Sequence, residues 1–466
     1  MNDIYTSPFA SRYASKEMLE LFSPKVRYGL WRRLWLSLAK AEKELGLNIT
    51  DEQLKDMEAH LDDIDFEVVQ KREKEVKHDV MAHIYAFGEK AKSAKSIIHL
   101  GATSCYVTDN SDLIIYKRGL VAIKSLLIDV MEKLADYAEQ YKDVATCAYT
   151  HYQPAQLTTV GKRFSLWLYN FESDLKTIDF VISEMKFLGS RGTTGTEASF
   201  LELFDNEDAK VDKLNELIAK DFGFDKVVDV CGQTYPRKTD FSILSCLSGI
   251  AQSSYKLAAD IRLLQHDGEI EEPFGSKQVG SSAMAYKRNP VNCEKICSLS
   301  RYMINDVQNA SFTAAEQWLE RTLDDSANRR ISMPEAFLCM DTVLNTVLNV
   351  LKDLSINLNK IKADVLKEIP FMATENILME GVKRGGDRQA LHEKIREASM
   401  EVIEGMRSGK DNDLLDRLAT LPEFSFLKDV KGEILDPKQY IGRCPLQVER
   451  YVKKIKDELE KEKTNG

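Results

Sequence analysis

The chain has 466 residues, of which 43% are hydrophobic and 30% charged; these shares are typical of soluble globular proteins and argue against wholesale disorder. A formal net charge of −10 excludes a general attraction to nucleic acid or anionic lipid, so neither is expected as a partner. Only 11 prolines and 23 glycines occur, and so few helix breakers predict long helices.

Residues 1–107 form the first of three predicted domains and contain several helices divided by turn signals. The opening stretch lacks the apolar core of a signal peptide, and no run approaches the ~18 apolar residues of a membrane span. We therefore expect a cytoplasmic protein that does not enter membranes. His78 and His83 lie five residues apart, a spacing that does not place both rings on one helix face, so no metal site is expected there.

Residues 108–362 form the predicted central domain, which carries the strongest helical pattern. Apolar residues alternate at spacings of three and four from Leu113 to Tyr141, as in the seam of a helix packed lengthwise on others. Thr108, Asp109 and Asn110 are the candidate N-caps. The pattern predicts a helix over 109–142, roughly 50 Å long at 1.5 Å per residue.

Four further long helices are predicted in the same domain. One covers about 158–187, a second has its seam at 243–264, and a third starts at Pro290 with Asn289 as its cap. The fourth has its seam from Phe337 to Leu358. No β-pattern of comparable strength occurs. The sequence thus predicts an all-α chain built on a long-helix bundle, followed by shorter helices in a third domain over 363–466.

Two loops and one histidine are the candidate sites for chemistry. Pro154 favours an extended backbone at Gln153, so the nearby His151 could face a cleft or be a structural histidine. The loop 275–290 is basic and rich in Gly and Ser, which suits either an enclosed anion or a solvated connection. The segment 320–330 offers Arg321, Arg329 and Arg330 with Ser326, either as anion-binding forks or as an exposed charged face.

Eight cysteines are scattered along the chain without a C-x-x-C pair. We expect them to be buried, reduced thiols.

The small-residue, hydroxyl-rich loops 99–104 and 189–196 are weaker candidates for holding an anion. With them, the candidate segments lie near residues 100, 151, 195, 281 and 325, each beside the end of a predicted long helix. One economical arrangement is a bundle shared between subunits, with sites built where subunits meet.

Several of these segments carry family motifs. The loop Gly280–Pro290 resembles the signature of the fumarase/aspartase superfamily of lyases, and within it the chain most resembles the animal-type adenylosuccinate lyase family. The matching motifs follow one another over nearly the whole chain and include Ser11–Ser15, His78–His83, Gly101–Tyr106, Thr150–Arg163, Gly192–Thr196, Gly232–Tyr235, Arg321–Arg330 and Pro370–Asn376.

The resemblance implies a three-domain, all-helical chain in a homotetramer with one shared central bundle and active sites assembled from three subunits. It implies carbon–nitrogen lyase activity without a metal or organic cofactor, in which fumarate is released from adenylosuccinate and from the succinylcarboxamide ribotide of purine synthesis (SAICAR). These reactions yield AMP and the carboxamide product AICAR, respectively.

The same resemblance implies a role for each site residue. Ser281 is the expected general base, His151 the acid that protonates the leaving nitrogen, and Lys287 the stabiliser of the aci-carboxylate. His78 is expected to hold the substrate phosphate. The implied substrate contacts are Arg12, Tyr13, Lys77, Asp79, Thr103, Ser104, Gln233, Lys295, Arg321, Ser326 and Arg330.

Three positions depart from the family pattern. Ala285 stands where the signature has proline, which predicts a more flexible loop. Lys77 and Lys295 stand where animal-type members carry arginine, which replaces a planar fork by a point charge. We expect weaker substrate binding or a changed preference between the two substrates.

Two alternatives stay open at the level of the sequence. A sister lyase acting on argininosuccinate, fumarate or aspartate would share the loop signature. A non-catalytic helical scaffold would share the fold.

Overall fold

The computed structural model describes residues 3–465, and the chain is mostly helical. A short π-helix, Phe9–Tyr13, precedes the first α-helix. The α-helices follow in chain order: α1 (Lys16–Leu21), α2 (Pro24–Glu44), α3 (Asp51–Ala59), α4 (Phe66–Val76), α5 (Asp79–Lys90), α6 (Ser104–Gln140), α7 (Val160–Glu184), α8 (Ala198–Leu203), α9 (Asp208–Asp221), α10 (Lys238–Asp267), α11 (Val291–Ala315), α12 (Asp324–Lys352), α13 (Leu358–Met372), α14 (Thr374–Lys383), α15 (Arg388–Arg407), α16 (Leu414–Ala419), α17 (Leu427–Ile434) and α18 (Cys444–Asn465).

Four strands form two small antiparallel sheets among the described residues. Strands β1 (Ala145–Thr150) and β2 (Gln153–Thr159) form a hairpin with a register shift between Cys147 and Tyr149. Strands β3 (Ile270–Glu271) and β4 (Ser355–Ile356) pair over two residues each. The hairpin is the element that the helical patterns did not predict.

The five predicted long helices are confirmed as α6, α7, α10, α11 and α12, with shifted ends. The seam of α6 is buried: Leu113, Leu120 and Leu134 are each 0% exposed. The seam prediction is wrong at Leu358, which begins α13 and is 48% exposed. The apolar spacing continued past the end of α12 because Leu354, beyond that end, also packs inward.

Both predicted N-cap assignments are wrong. Helix α6 begins at Ser104, so Thr108, Asp109 and Asn110 lie inside it. Asn110 instead accepts hydrogen bonds from the backbone N–H groups of Leu188 (3.0 Å) and Gly189 (3.1 Å). Polar residues near a helix start resemble caps in sequence, but here their partners are distant in the chain.

At α11 the cap is supplied from outside the local sequence. The Glu272 carboxylate accepts hydrogen bonds from the backbone N–H groups of Asn292 (3.0 Å) and Cys293 (2.9 Å), and a carboxylate there also suits the positive end of the helix dipole. The Asn289 side chain donates to the Gly280 carbonyl oxygen (2.8 Å). Asn289 therefore pins the preceding loop.

The chain forms two compact units. The first unit contains the residues up to Leu127 together with Ser173–Tyr255 and Ile296–Asn345. The second unit contains Ile128–Glu172, Lys256–Lys295 and the residues from Thr346 onward. Among the described residues, no helix is both long and apolar enough to cross a membrane.

Candidate active site

Four of the expected substrate-binding side chains form a connected group in the first unit. His78 precedes α5, and its Nε2 atom lies 3.4 Å from the Ser104 hydroxyl oxygen at the start of α6. Arg330 on α12 donates to the Asp79 carboxylate at 3.2 Å. These contacts join residues that are up to 251 positions apart, and they place a hydroxyl, an imidazole and a guanidinium close to a helix N-terminus.

The neighbouring candidates of the first unit lie on short or irregular segments. Arg12 and Tyr13 end the π-helix, with the Arg12 guanidinium 6.0 Å from the centre of the Tyr13 ring. Lys77 is exposed and caps α4 in the left-handed conformation, with φ of 55°. Thr103 precedes α6, where its carbonyl oxygen accepts the Tyr106 N–H at 2.9 Å.

Gln233 and Arg321 are brought together by a close approach of two loops. The Gln233 backbone N–H donates to the Glu320 carbonyl oxygen at 3.0 Å. A Cβ atom on the preceding Gly232 would lie 2.5 Å from that same oxygen, so only glycine permits the approach. Burial raises the pKa of Cys105 to about 12, which keeps it a neutral S–H donor to Gln233 Oε1 at 3.5 Å.

Arg321 is held by a carboxylate that the sequence analysis missed. Asp325 is buried and accepts from Arg321 Nη1 at 2.8 Å and from Arg237 Nε at 2.6 Å. Arg237 also donates to Asp109 at 2.9 Å. The available signal was the i, i+4 spacing of Arg321 and Asp325, which favours pairing on a helix, but Arg237 and Asp109 give no local signal.

The segment 320–330 is neither a set of three free forks nor an exposed charged face. Arg329 is buried and donates to Asp240 (2.6 Å) and Asp112 (3.2 Å), so this candidate anion-binding residue is instead structural. Arg330, in contrast, is exposed. Ser326 lies half-buried on α12, and its backbone N–H donates to Leu323.

In the second unit, His151 occupies the tip of the β1–β2 hairpin. His151 and Tyr152 have φ values of 53° and 56°, the pattern of a tight hairpin turn with both central residues left-handed. The expected extended backbone at Gln153 is confirmed, since β2 begins there. The base of the hairpin is fixed by Arg163, which donates to the Cys147 carbonyl oxygen at 2.7 Å and to Glu269 at 3.2 Å. His151 is exposed on this anchored turn.

Ser281 and Lys287 lie in one loop, which is largely exposed. The Ser281 Oγ atom accepts hydrogen bonds from the backbone N–H groups of Ala283 (3.2 Å) and Met284 (3.1 Å). A Cβ atom on Gly280 would lie 1.8 Å from the Lys287 carbonyl oxygen, so this close approach requires glycine. Two backbone donors directed at a hydroxyl oxygen also favour its negatively charged form.

Lys295 lies half-buried on α11, one helical turn beyond the start of that helix. It belongs to the second unit, as do His151, Ser281 and Lys287. The other expected site residues all belong to the first unit. Among the described residues, no group of three or more His, Cys, Asp or Glu side chains is placed to hold a metal ion.

The cysteines are free thiols, and the expectation of burial is confirmed for most of them. It is wrong for Cys231 and Cys444, which are half-buried.

Comparison with known proteins identifies the family. A lyase family model matches residues 14–304, and a model for the adenylosuccinate lyase C-terminus matches residues 370–451. The adenylosuccinate lyase of Schizosaccharomyces pombe is 48% identical over 97% of this chain and 94% of the relative. The chain belongs to the adenylosuccinate lyase family. The Saccharomyces cerevisiae adenylosuccinate lyase is 47% identical over 97% of this chain and 95% of its own length.

A solved structure supports the fold. The 3-carboxy-cis,cis-muconate lactonizing enzyme from Pseudomonas putida superposes with a TM-score of 0.85 at 19% identity, covering 97% of this chain and 99% of that one. At this identity the likeness concerns the helical architecture alone. Together with the identities above, it places this adenylosuccinate lyase family member in the fold predicted from its long helices.

Proposed function

We propose that this chain is a carbon–nitrogen lyase that releases fumarate from adenylosuccinate, giving AMP, and from SAICAR, giving AICAR, in purine nucleotide synthesis. The observation that carries the proposal is the 48% identity to a curated adenylosuccinate lyase over nearly the full length of both chains. The matched length takes in both family-model regions, residues 14–304 and 370–451.

Ser281 is the proposed general base. Its alkoxide takes the proton from Cβ of the succinyl group, and the electrons of that C–H bond form the double bond of fumarate. A serine hydroxyl is a weak base, so its charged form requires stabilisation. The N–H groups of Ala283 and Met284, already bonded to Ser281 Oγ, are suited to supply it when loop closure excludes water.

His151 and Lys287 complete the proposed elimination. As the Cα–N bond breaks, its electron pair goes to the nitrogen, which His151 protonates. Lys287 stabilises the second negative charge that develops on the carboxylate after proton loss. The Lys287 ammonium group forms no hydrogen bond or ion pair with other residues of the described range 3–465, so it can engage substrate without breaking an internal contact.

The first unit supplies the proposed binding groups for the substrate anions. His78, at the N-terminus of α5 and beside Ser104, is suited to the phosphate, because helix N-termini favour anions. The remaining proposed contacts from this unit are Arg12, Tyr13, Lys77, Asp79, Thr103, Gln233, Arg321, Ser326 and Arg330, and the second unit supplies Lys295. No metal or organic cofactor takes part in the proposed reaction.

We also propose a cytoplasmic homotetramer of three-domain chains (1–107, 108–362 and 363–466) with active sites assembled from three subunits. Exposed apolar residues on α11 and α12 support an interface between copies: Phe312 is 67% exposed and Ile331 is 63% exposed. Light scattering after size exclusion should give four times the chain mass of 53.0 kDa. A monomer would contradict this assembly.

A fumarate-release assay tests the activity. The purified protein should release fumarate from adenylosuccinate and SAICAR but not from argininosuccinate or aspartate, and it should not hydrate fumarate. Activity on one of the other substrates alone would make it a sister lyase. Activity on none of them would favour a non-catalytic scaffold.

A further inference from the structure

A buried chain of ion pairs joins the starts of three long helices in the first unit. Arg237, just before α10, bonds Asp109 on α6 and Asp325 on α12. The side chains of all three residues are at most 3% exposed. Asp109 also accepts the Tyr235 backbone N–H at 3.2 Å. Because a buried charge without a partner is costly, each of these charged side chains depends on its partners to stay buried.

Arg321, a proposed substrate contact, lies at one end of this series of ion pairs. Its Nη1 atom donates to Asp325 at 2.8 Å and also to the Thr322 carbonyl oxygen. Within residues 3–465, its Nε and Nη2 atoms form no hydrogen bond. This edge of the guanidinium is the one that pairs with a carboxylate or phosphate through two parallel hydrogen bonds.

Asp325 is suited to set the direction of that edge. Burial by itself opposes ionisation of Asp325, but the charges and hydrogen bonds of Arg237 and Arg321 outweigh it and hold its pKa below the usual value. The carboxylate is therefore charged at neutral pH. Arg237 occupies Oδ2 (2.6 Å), which leaves Oδ1 for Arg321.

We propose that Asp325 is a positioning residue that acts through Arg321, and that Arg237 in turn fixes Asp325. The proposal rests on the proposed lyase activity and extends it beyond the groups that touch substrate. An arginine held on one side loses less freedom on binding, so its anion contact is stronger. Without Asp325 the guanidinium would rotate, and binding of both substrates would weaken.

A double-mutant cycle on the full-length enzyme tests this inference. Asp325→Asn keeps the shape of the side chain but removes its charge, and Arg321→Ala removes the proposed contact. Asp325→Asn should raise KM for adenylosuccinate and SAICAR by roughly tenfold, with kcat changed less, as expected for lost binding energy. In the Arg321→Ala background it should add nothing, because both changes remove one interaction.

Asp240→Asn is the matched control. Asp240 is equally buried and accepts from Arg329 (2.6 Å) and from the Tyr235 hydroxyl (2.6 Å), but it does not contact Arg321. Its KM values should stay within about twofold of the parent. If Asp325→Asn does not fold, Asp325→Glu enters the same cycle, since it keeps the charge but moves it by one methylene.

Two results would overturn the proposal: additive effects of the Asp325 and Arg321 changes on KM, or an equal rise in KM in Asp240→Asn. A parent enzyme without fumarate release would instead overturn the proposed function. The two failures are therefore distinguishable.

Discussion

The Met284 backbone N–H donates a hydrogen bond to the Oγ atom of Ser281 at 3.1 Å. The Ala283 N–H donates to the same atom at 3.2 Å. A serine oxygen that accepts hydrogen bonds from two backbone N–H groups is stabilised in its negatively charged form. This arrangement gives the proposed base a physical basis that the signature alone does not provide.

Removing the hydroxyl should abolish the reaction. We expect Ser281→Ala to lower kcat for both substrates by about 10³-fold or more, since it removes the proposed base, while circular dichroism and oligomer mass stay unchanged. Ser276→Ala, an exposed hydroxyl in the same loop, is the control and should keep kcat within about twofold. Retained activity in Ser281→Ala would refute this assignment of the base.

Removing one backbone donor should have a smaller effect. Met284→Pro deletes the N–H that bonds Ser281, and we expect kcat to fall by about 10- to 100-fold. Ala285→Pro is its matched control. Position 285 follows Met284 in a turn closed by the Lys287 N–H and the Met284 carbonyl oxygen (3.1 Å), where proline is favoured. Ala285→Pro should keep or raise kcat; a loss as large as that of Met284→Pro would argue against the donor's role.

We expect the lysine at position 295 to bind substrate more weakly than an arginine would at the same position. Lys295→Arg restores a planar fork on α11, and we expect KM to fall by about threefold or more for at least one substrate. Lys277→Arg, on the exposed loop, makes the same chemical change at a residue that is not a proposed contact and serves as the control. Steady-state kinetics on both substrates measure the effect, and unchanged values in Lys295→Arg would rule it out.

Buried Glu42 should make the protein less stable as pH rises. The side chain is fully buried, neither carboxylate oxygen has a hydrogen-bond partner among residues 3–465, and burial raises its pKa from 4.5 to about 8. The unfolded chain ionises first, so stability falls between pH 4.5 and 8. Glu42→Gln should therefore stabilise the protein by about 3 kcal/mol at pH 7 and by little near pH 4.

Chemical unfolding at both pH values measures this difference. Glu44→Gln, an exposed glutamate on the same helix, should change stability little at either pH. A Glu42→Gln effect that does not depend on pH would contradict the buried, protonated carboxyl.

Patterns within the sequence predicted the long helices. The 3-4 spacing of apolar residues reflects which side of a helix is buried, and that is why α6, α10 and α12 were identified. The loop signature at Gly280–Pro290 likewise indicated the lyase family, because a motif of neighbouring residues can be recognised in the sequence itself.

Only the tertiary structure decided the supports of the site. Asp109 resembles a helix cap in sequence, yet it lies inside α6 and binds Arg237, 128 positions away. Arg329 resembles an anion-binding residue, yet it is buried with Asp112 and Asp240. The sequence determined the long helices and the family because their signals are local. The partners of buried charges depend on which helix ends meet, and that is set by packing of the whole chain.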